Sequence, residues 1–143
     1  METSGLDHVV LSVSDVQRSH RFYQDILGFE VNCTPDDYAN RIYAGSCTFM
    51  VGAVEITLIS HDQTPTADRF SEFRIGLDHL SFKAPDETAL HTLADRLQQA
   101  GVETNGVETY MPSGKHYVVF RDPDNIQLEY WLTTPDQHIQ REE

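Results

Sequence analysis

Leu6-Asp7-His8-Val9-Val10-Leu11-Ser12-Val13 and Leu77-Asp78-His79-Leu80-Ser81-Phe82-Lys83-Ala84 are two readings of one phrase, set 71 residues apart. Each enters an apolar, strand-like run, and each is followed by a helical pattern. The first spans residues 15–27, with Phe22, Ile26 and Leu27 among polar neighbours, and stops at Gly28. The second spans 86–100, carries Leu90, Leu93, Leu97 and Ala100 at helical spacing, and stops at Gly101. Glycine suits the left-handed residue that closes a helix. Three short strands are predicted after each helix, at 29–33, 41–50 and 53–60 and again at 102–108, 116–121 and 126–132. Met50-Val51-Gly52-Ala53 and Asp122-Pro123-Asp124-Asn125 supply the last turn of each copy, since Pro presets φ and Asp and Asn favour tight turns.

The order is therefore βαβββ twice. We expect a first module over 1–61, a polar connector over 62–76, a second module over 77–132 and a polar tail over 133–143. A period of 71 residues in two copies is too long for a solenoid unit, so a duplicated supersecondary module explains it.

At 143 residues the chain has room for one domain or two small modules, and 39% hydrophobic residues suffice for a real core. No apolar run approaches the roughly 20 residues of a membrane helix, and the first residues lack the basic start and apolar stretch of a signal peptide. A cytoplasmic protein is expected. A net charge of −13 opposes binding to phosphate backbones and to anionic membrane surfaces. Cys33 and Cys47 are too few for a disulfide framework and lack CxxC spacing, so they read as reduced packing residues.

His8 and His79 occupy equivalent places at the start of each module's first strand. In Ile126-Gln127-Leu128-Glu129-Tyr130, strand alternation puts Gln127 and Glu129 on one face and the apolar residues on the other. With the apolar face under the helix, Glu129 points to the open side. Two imidazoles and one carboxylate make a ligand set for Fe, Mn, Ni, Co or Zn as the divalent ion, with positions left for water or substrate. The first-module counterpart of Glu129 is Thr57 at an offset of 72, or Glu55 if the register slides by two; either way both share a face. His116 and Tyr117 open the strand beside Glu129, and one of them should face the site as a substrate-orienting or proton-relaying group. Arg121 is expected to pair with a nearby acid, and Tyr130 and Trp131 to pack in the core and at the edge. His20, His61, His91 and His138 lack support as ligands, with His91 on an exposed helix side and His138 in the tail.

Leu6-Asp7-His8-Val9-Val10-Leu11 with Ser14-Asp15, Phe22-Tyr23-Gln24-Asp25-Ile26-Leu27-Gly28-Phe29, Leu77-Asp78-His79-Leu80-Ser81-Phe82, and Phe120-Arg121-Asp122-Pro123-Asp124-Asn125-Ile126-Gln127-Leu128-Glu129 together resemble the vicinal oxygen chelate superfamily. That superfamily includes glyoxalase I, methylmalonyl-CoA epimerase, extradiol dioxygenases, and fosfomycin and bleomycin resistance proteins. The resemblance covers about residues 5–132 and implies an α+β fold, in which two βαβββ modules form a curved, partly open barrel-like sheet with helices outside. It implies metal ligation by His8, His79 and Glu129 and a small oxygen-chelating substrate; the edges of such an open sheet lead us to expect a homodimer. A glyoxalase-like lyase or isomerase is the reaction it favours, with drug sequestration and ring cleavage as alternatives. The extradiol pattern wants a tyrosine where Val119 stands and a histidine further from the turn than His116. Glyoxalase I enzymes carry a first-module carboxylate as ligand and base, a role that depends on the register of Glu55.

Overall fold

The protein is described by a computed structural model over residues 1–34 and 45–133. Two compact units emerge, one of residues 1–70 together with 122–125, the other of 71–121 with 126 onward. Each holds one open, mixed, four-stranded sheet and few helices, so the α+β class and the repeated module are as the sequence indicates.

In the first unit the order along the chain is β1 (His8–Ser12), α1 (Val16–Arg21), β2 (Asn32–Thr34), β3 (Gly45–Val51) and β4 (Val54–Ser60). The sheet order is β1-β4-β3-β2, with β1 parallel to β4 and the remaining pairs antiparallel. Alternation decides what is buried. Leu11, Val13, Ile56, Leu58, Cys47 and Phe49 are all at most 4% exposed and form one face of the sheet. Each fully buried aliphatic side chain contributes about 1.5–3 kcal/mol relative to exposure. Asp15 caps α1 by accepting from the Gln17 and Arg18 amides.

The predicted helix over 15–27 does not stay α throughout, because Phe22–Ile26 widens to a π-turn. No proline or glycine lies inside it to cause the change. Packing holds the wider turn: the Tyr23 ring stacks on Phe49, and its hydroxyl donates to Asp122 Oδ2 at 3.1 Å. Burial, then the Asp122 carboxylate, pushes the Tyr23 phenol well above its ordinary range, so it remains a donor. Asp122 and Asp124 belong to this unit as buried acids. Asp124 Oδ2 accepts from the Ser14 amide at 3.0 Å, and Asn125 closes their turn in the left-handed region at φ 71°.

The second unit runs β5 (Leu80–Ala84), α2 (Glu87–Gln99), β6 (Val107–Tyr110), β7 (Lys115–Arg121) and β8 (Gln127–Leu132), with sheet order β5-β8-β7-β6. Again the first strand is parallel to the last. Leu90 and Leu97 of α2 and Val118, Phe120 and Leu128 of the sheet are at most 2% exposed, which fixes the helix-covered face. Asp86 caps α2 through the Ala89 amide at 2.8 Å.

Two predicted strands move. Residues 29–33 give way to Asn32–Thr34 because the amides of Phe29 and Val31 bond back to Tyr23 O and the Gln24 side chain. Residues 102–108 give way to Val107–Tyr110 because the Val102 amide closes α2 on Leu97 O, while Gly101 bonds to Gln98 O. The earlier part of the predicted 41–50 strand, the tail beyond residue 133 and His138 lie outside the described residues.

The two cysteines require a correction. Cys33 and Cys47 are joined as a disulfide rather than standing as separate reduced residues. They are direct partners across β2 and β3, and that ladder, not their spacing in sequence, brings them together.

Gly101 sits at φ +71° with nothing within 4 Å of an added Cβ, so substitution there meets only backbone strain. We predict that Gly101→Ala lowers stability by about 1 kcal/mol, and Gly101→Asn by less. Urea unfolding of the two variants measures this.

Candidate metal centre

Strand register determines which side chains share a surface. In β7 and β8, Tyr117 faces Trp131, Val119 faces Glu129 and Arg121 faces Gln127. These six occupy the side of the sheet opposite Val118, Phe120 and Leu128. Glu129 is a buried carboxylate on this side, and its neighbours satisfy it closely. Oε1 accepts from Gln127 Nε2 at 2.9 Å, and Oε2 accepts from Trp131 Nε1 at 2.6 Å. His79 lies just before β5 with Nε2 at 3.6 Å from Glu129 Oε2.

That separation is beyond ordinary hydrogen-bond length. Two donors at about 2.0–2.2 Å from one ion stand roughly 3.0–3.5 Å apart at right or tetrahedral angles. The His79–Glu129 separation of 3.6 Å lies just above that range. The other imidazole nitrogen is already committed: Nδ1 of His79 stands 2.6 Å from the Asp78 carboxylate, which accepts its proton and leaves the Nε2 lone pair for a ligand role. His8 in the first unit has the same arrangement, Nδ1 at 2.6 Å from Asp7. Asp7 and Asp78 escape the sequence reading as orienting groups, although the repeated Asp-His dipeptide is the signal for them.

In the first unit His8 pairs with Glu55 and Val10 with Thr57. In the second, Ser81 pairs with Glu129. Since Val10 and Ser81 each stand two residues beyond their histidine, Thr57 is the counterpart of Glu129, and Glu55 lies one pleat earlier. Glu55 and Thr57 do share a face, with Thr57 Oγ1 at 3.3 Å from Glu55 Oε1.

His116 and Tyr117 separate. Tyr117 shares the Glu129 face, its ring stacked on Trp131 at a centroid distance of 4.5 Å, with Tyr110 edge-on to the same indole. Burial of the ring, then Glu108 and Glu129, raises its phenol above the usual range, so the group is neutral at neutral pH. His116 points to the helix side, where Nδ1 meets the Glu87 carboxylate at 2.8 and 2.9 Å. It therefore lies on the opposite face of β7 from Val119, the direct partner of Glu129. Trp131, read from sequence as packing, does pack on Tyr117 and Tyr110 and in addition donates to Glu129.

Arg121 has its expected acid, Glu72, in a two-pronged pair at 2.8 and 3.1 Å, and Nη2 also donates to Gln127 Oε1 at 3.0 Å. A continuous polar chain runs Glu72, Arg121, Gln127, Glu129, Trp131. It fixes the Gln127 amide so that its NH2 is aimed at Glu129. The Arg121 hydrogen bond holds the Glu72 carboxyl down at about 2. Because folding lowers this pKa, its contribution to stability is fully present above pH 4.5 and is lost as pH falls through about 2. We predict a Glu72 carboxyl titration midpoint near 2 by carbon NMR, returning to the ordinary glutamate range in Arg121→Ala.

The sequence model of the Glyoxalase/Bleomycin resistance protein/Dioxygenase superfamily matches residues 5–130. The uncharacterized protein YwkD of Bacillus subtilis (strain 168) is 30% identical over 134 residues, which cover 92% of this chain and 98% of YwkD. The crystal structure of a glyoxylase/bleomycin resistance protein/dioxygenase domain from Frankia sp. EAN1pec superposes with a TM-score of 0.78 at 32% identity, over 93% of this chain and 100% of that one. A mutant of the genomically encoded fosfomycin resistance protein FosX from Listeria monocytogenes, complexed with Mn(II) and 1S,2S-dihydroxypropylphosphonic acid, shares the fold. Its TM-score is 0.72 at 20% identity, covering 98% of this chain and 100% of that one.

Proposed function

Because the chain belongs to the Glyoxalase/Bleomycin resistance protein/Dioxygenase superfamily, we propose that it is a divalent-metal-dependent enzyme acting on a small oxygen-chelating substrate, a glyoxalase-like lyase or isomerase. The observation that carries this reading is the His79 Nε2–Glu129 Oε2 spacing of 3.6 Å, with the opposite ring nitrogen of His79 held by Asp78. His79, Glu129 and His8 form the proposed ligand set, with His8 given either by the same chain or by a partner subunit. A divalent Fe, Mn, Ni, Co or Zn ion bound there supplies Lewis acidity toward two neighbouring substrate oxygens.

With Thr57 in the place of a fourth ligand, the set stays at two histidines and one carboxylate, which leaves positions for a chelating substrate. Glu55, kept free of that role by the register, is the carboxylate proposed to take a proton from a carbon next to a substrate carbonyl. Thr57 orients it through the 3.3 Å contact. Tyr117, held in its neutral form, is proposed to donate a hydrogen bond to a substrate oxygen. Gln127 and Trp131 hold Glu129 in one rotamer, so the ligand is preorganised before metal arrives.

The stacked Tyr117 and Trp131 also favour a second reading, capture of a planar or cationic small molecule without turnover. Metal dependence separates the two. We further propose a cytoplasmic homodimer. Among the described residues each sheet ends on two outer strands, and Phe73 and Ile75 in the connector are almost fully exposed, features that self-association would cover. No helix among the described residues is long and apolar enough to cross a membrane.

Elemental mass spectrometry of tagless protein tests the centre. We expect about one equivalent of a transition metal per chain in the disulfide form of the wild type, and about 10–100-fold weaker retention in Glu129→Ala and His79→Ala. A wild type that neither carries nor takes up Fe, Mn, Ni, Co or Zn would overturn the enzyme reading. Sedimentation at micromolar concentration should give twice the chain mass of 16.3 kDa.

A further inference from the structure

The first unit holds a second group of potential ligands on the other side of its sheet from His8. Cys47 lies in β3 at 0% exposure, on the face that also carries Phe49 and Leu58. Cys33, its direct partner in β2, projects to the same side. His20 comes from the last turn of α1. One donor atom of His20 and the two sulfurs all lie within 4.8 Å of one another. The imidazole is otherwise unexplained, since Nε2 of His20 is buried with no hydrogen-bond partner among the described residues. A buried ring nitrogen left unsatisfied is costly, so its persistence calls for a ligand.

We propose that His20, Cys33 and Cys47 are a redox-gated metal site, distinct from the His79–Glu129 centre. As a dithiol it takes one thiophilic divalent ion such as Zn2+, and as the disulfide it takes none. Donor chemistry selects the ion. Two thiolates at about 2.3 Å and one imidazole at about 2.0–2.1 Å from a tetrahedral ion stand roughly 3.6–3.8 Å apart, leaving a fourth place for water. The sulfur chemistry also separates the two centres, because the nitrogen-and-oxygen set at His79 and Glu129 suits harder ions.

The switch balances. Opening the disulfide consumes two electrons and two protons, given by a small-molecule or protein dithiol that leaves as its own disulfide. Binding of Zn2+ to the two thiols then releases two protons, while His20 adds a neutral lone pair. In the reverse direction a disulfide oxidant takes the two electrons, becomes two thiols with two protons from solvent, and the ion is expelled. Among the described residues no other cysteine stands by to resolve or compete for the bond, and the sequence has only these two. A reducing compartment keeps such a pair as the dithiol, so the metal-bound form is the resting one there.

The test uses full-length protein, reduced with a phosphine, stripped of metal and titrated with Co2+. The reduced wild type should develop thiolate-to-cobalt charge-transfer absorption that saturates at one equivalent per chain. Air-oxidised protein should not, and neither should Cys33→Ser. Glu129→Ala should keep the band, since no thiolate belongs to the other centre. His20→Ala should weaken binding at this site by about tenfold or more. An unchanged affinity in that variant would overturn the three-ligand assignment. A readout free of any folding defect in the variants is alkylation of the reduced wild type by iodoacetamide, which Zn2+ should slow at least severalfold. Two titratable thiols with no charge-transfer band and no Zn2+ protection would sink the site altogether.

Discussion

The parallel pairing of the first and last strand of each module is the constraint on which everything else rests. A parallel pair cannot be closed by a two-residue turn, so α1 or α2 and two further strands must lie between its members. The helix then covers one face, and alternation sends every second residue to the other. In β8 this buries Leu128 and leaves Glu129 on the open side; in β4 it buries Leu58 and leaves Thr57. A slip of one residue would bury a carboxylate in the aliphatic core and expose the leucine, a loss of several kcal/mol on both counts.

The open face of the second unit gives the proposed ligand Glu129 a setting unlike the rest of a chain of net charge −13. Glu129 is surrounded by donors rather than by further carboxylates, with Gln127 on one oxygen and Trp131 on the other. The one cation in this chain of contacts, Arg121, is bound to Glu72 and is linked to Glu129 through the Gln127 amide. A direct Arg121–Glu129 pair would have left little negative charge to offer to a metal. The amide transmits orientation without neutralising the acid.

The opposite face carries different chemistry for the same geometric reason. Cys33 and Cys47 fall on the helix-covered side of β2 and β3, away from His8, Glu55 and Thr57. Hard and soft donors are thus segregated by the pleat of one sheet. The Tyr23–Phe49 stack lies on the same side as Cys47, and it is also what accompanies the wider turn at Phe22–Ile26.

What could be read from the chain alone was whatever depends on local period and on repetition. The paired Leu-Asp-His entries, the glycines after each helix and the turn at Asp122–Asn125 predict two βαβββ modules, and the superfamily match follows from those same residues. Alternation likewise put Gln127 and Glu129 on one face before any contact was known. Tertiary structure alone decided three matters. It chose Thr57 over Glu55 as the partner position of Glu129, because register is a property of two strands and a slide by two leaves either strand's own pattern unchanged. It sent His116 to Glu87 and Tyr117 to Trp131, because two neighbours at a strand's start look alike until the helix covers one side. It brought Cys33 opposite Cys47 and beside His20, a meeting set by strand pairing and helix packing, to which spacing along the chain gives no clue.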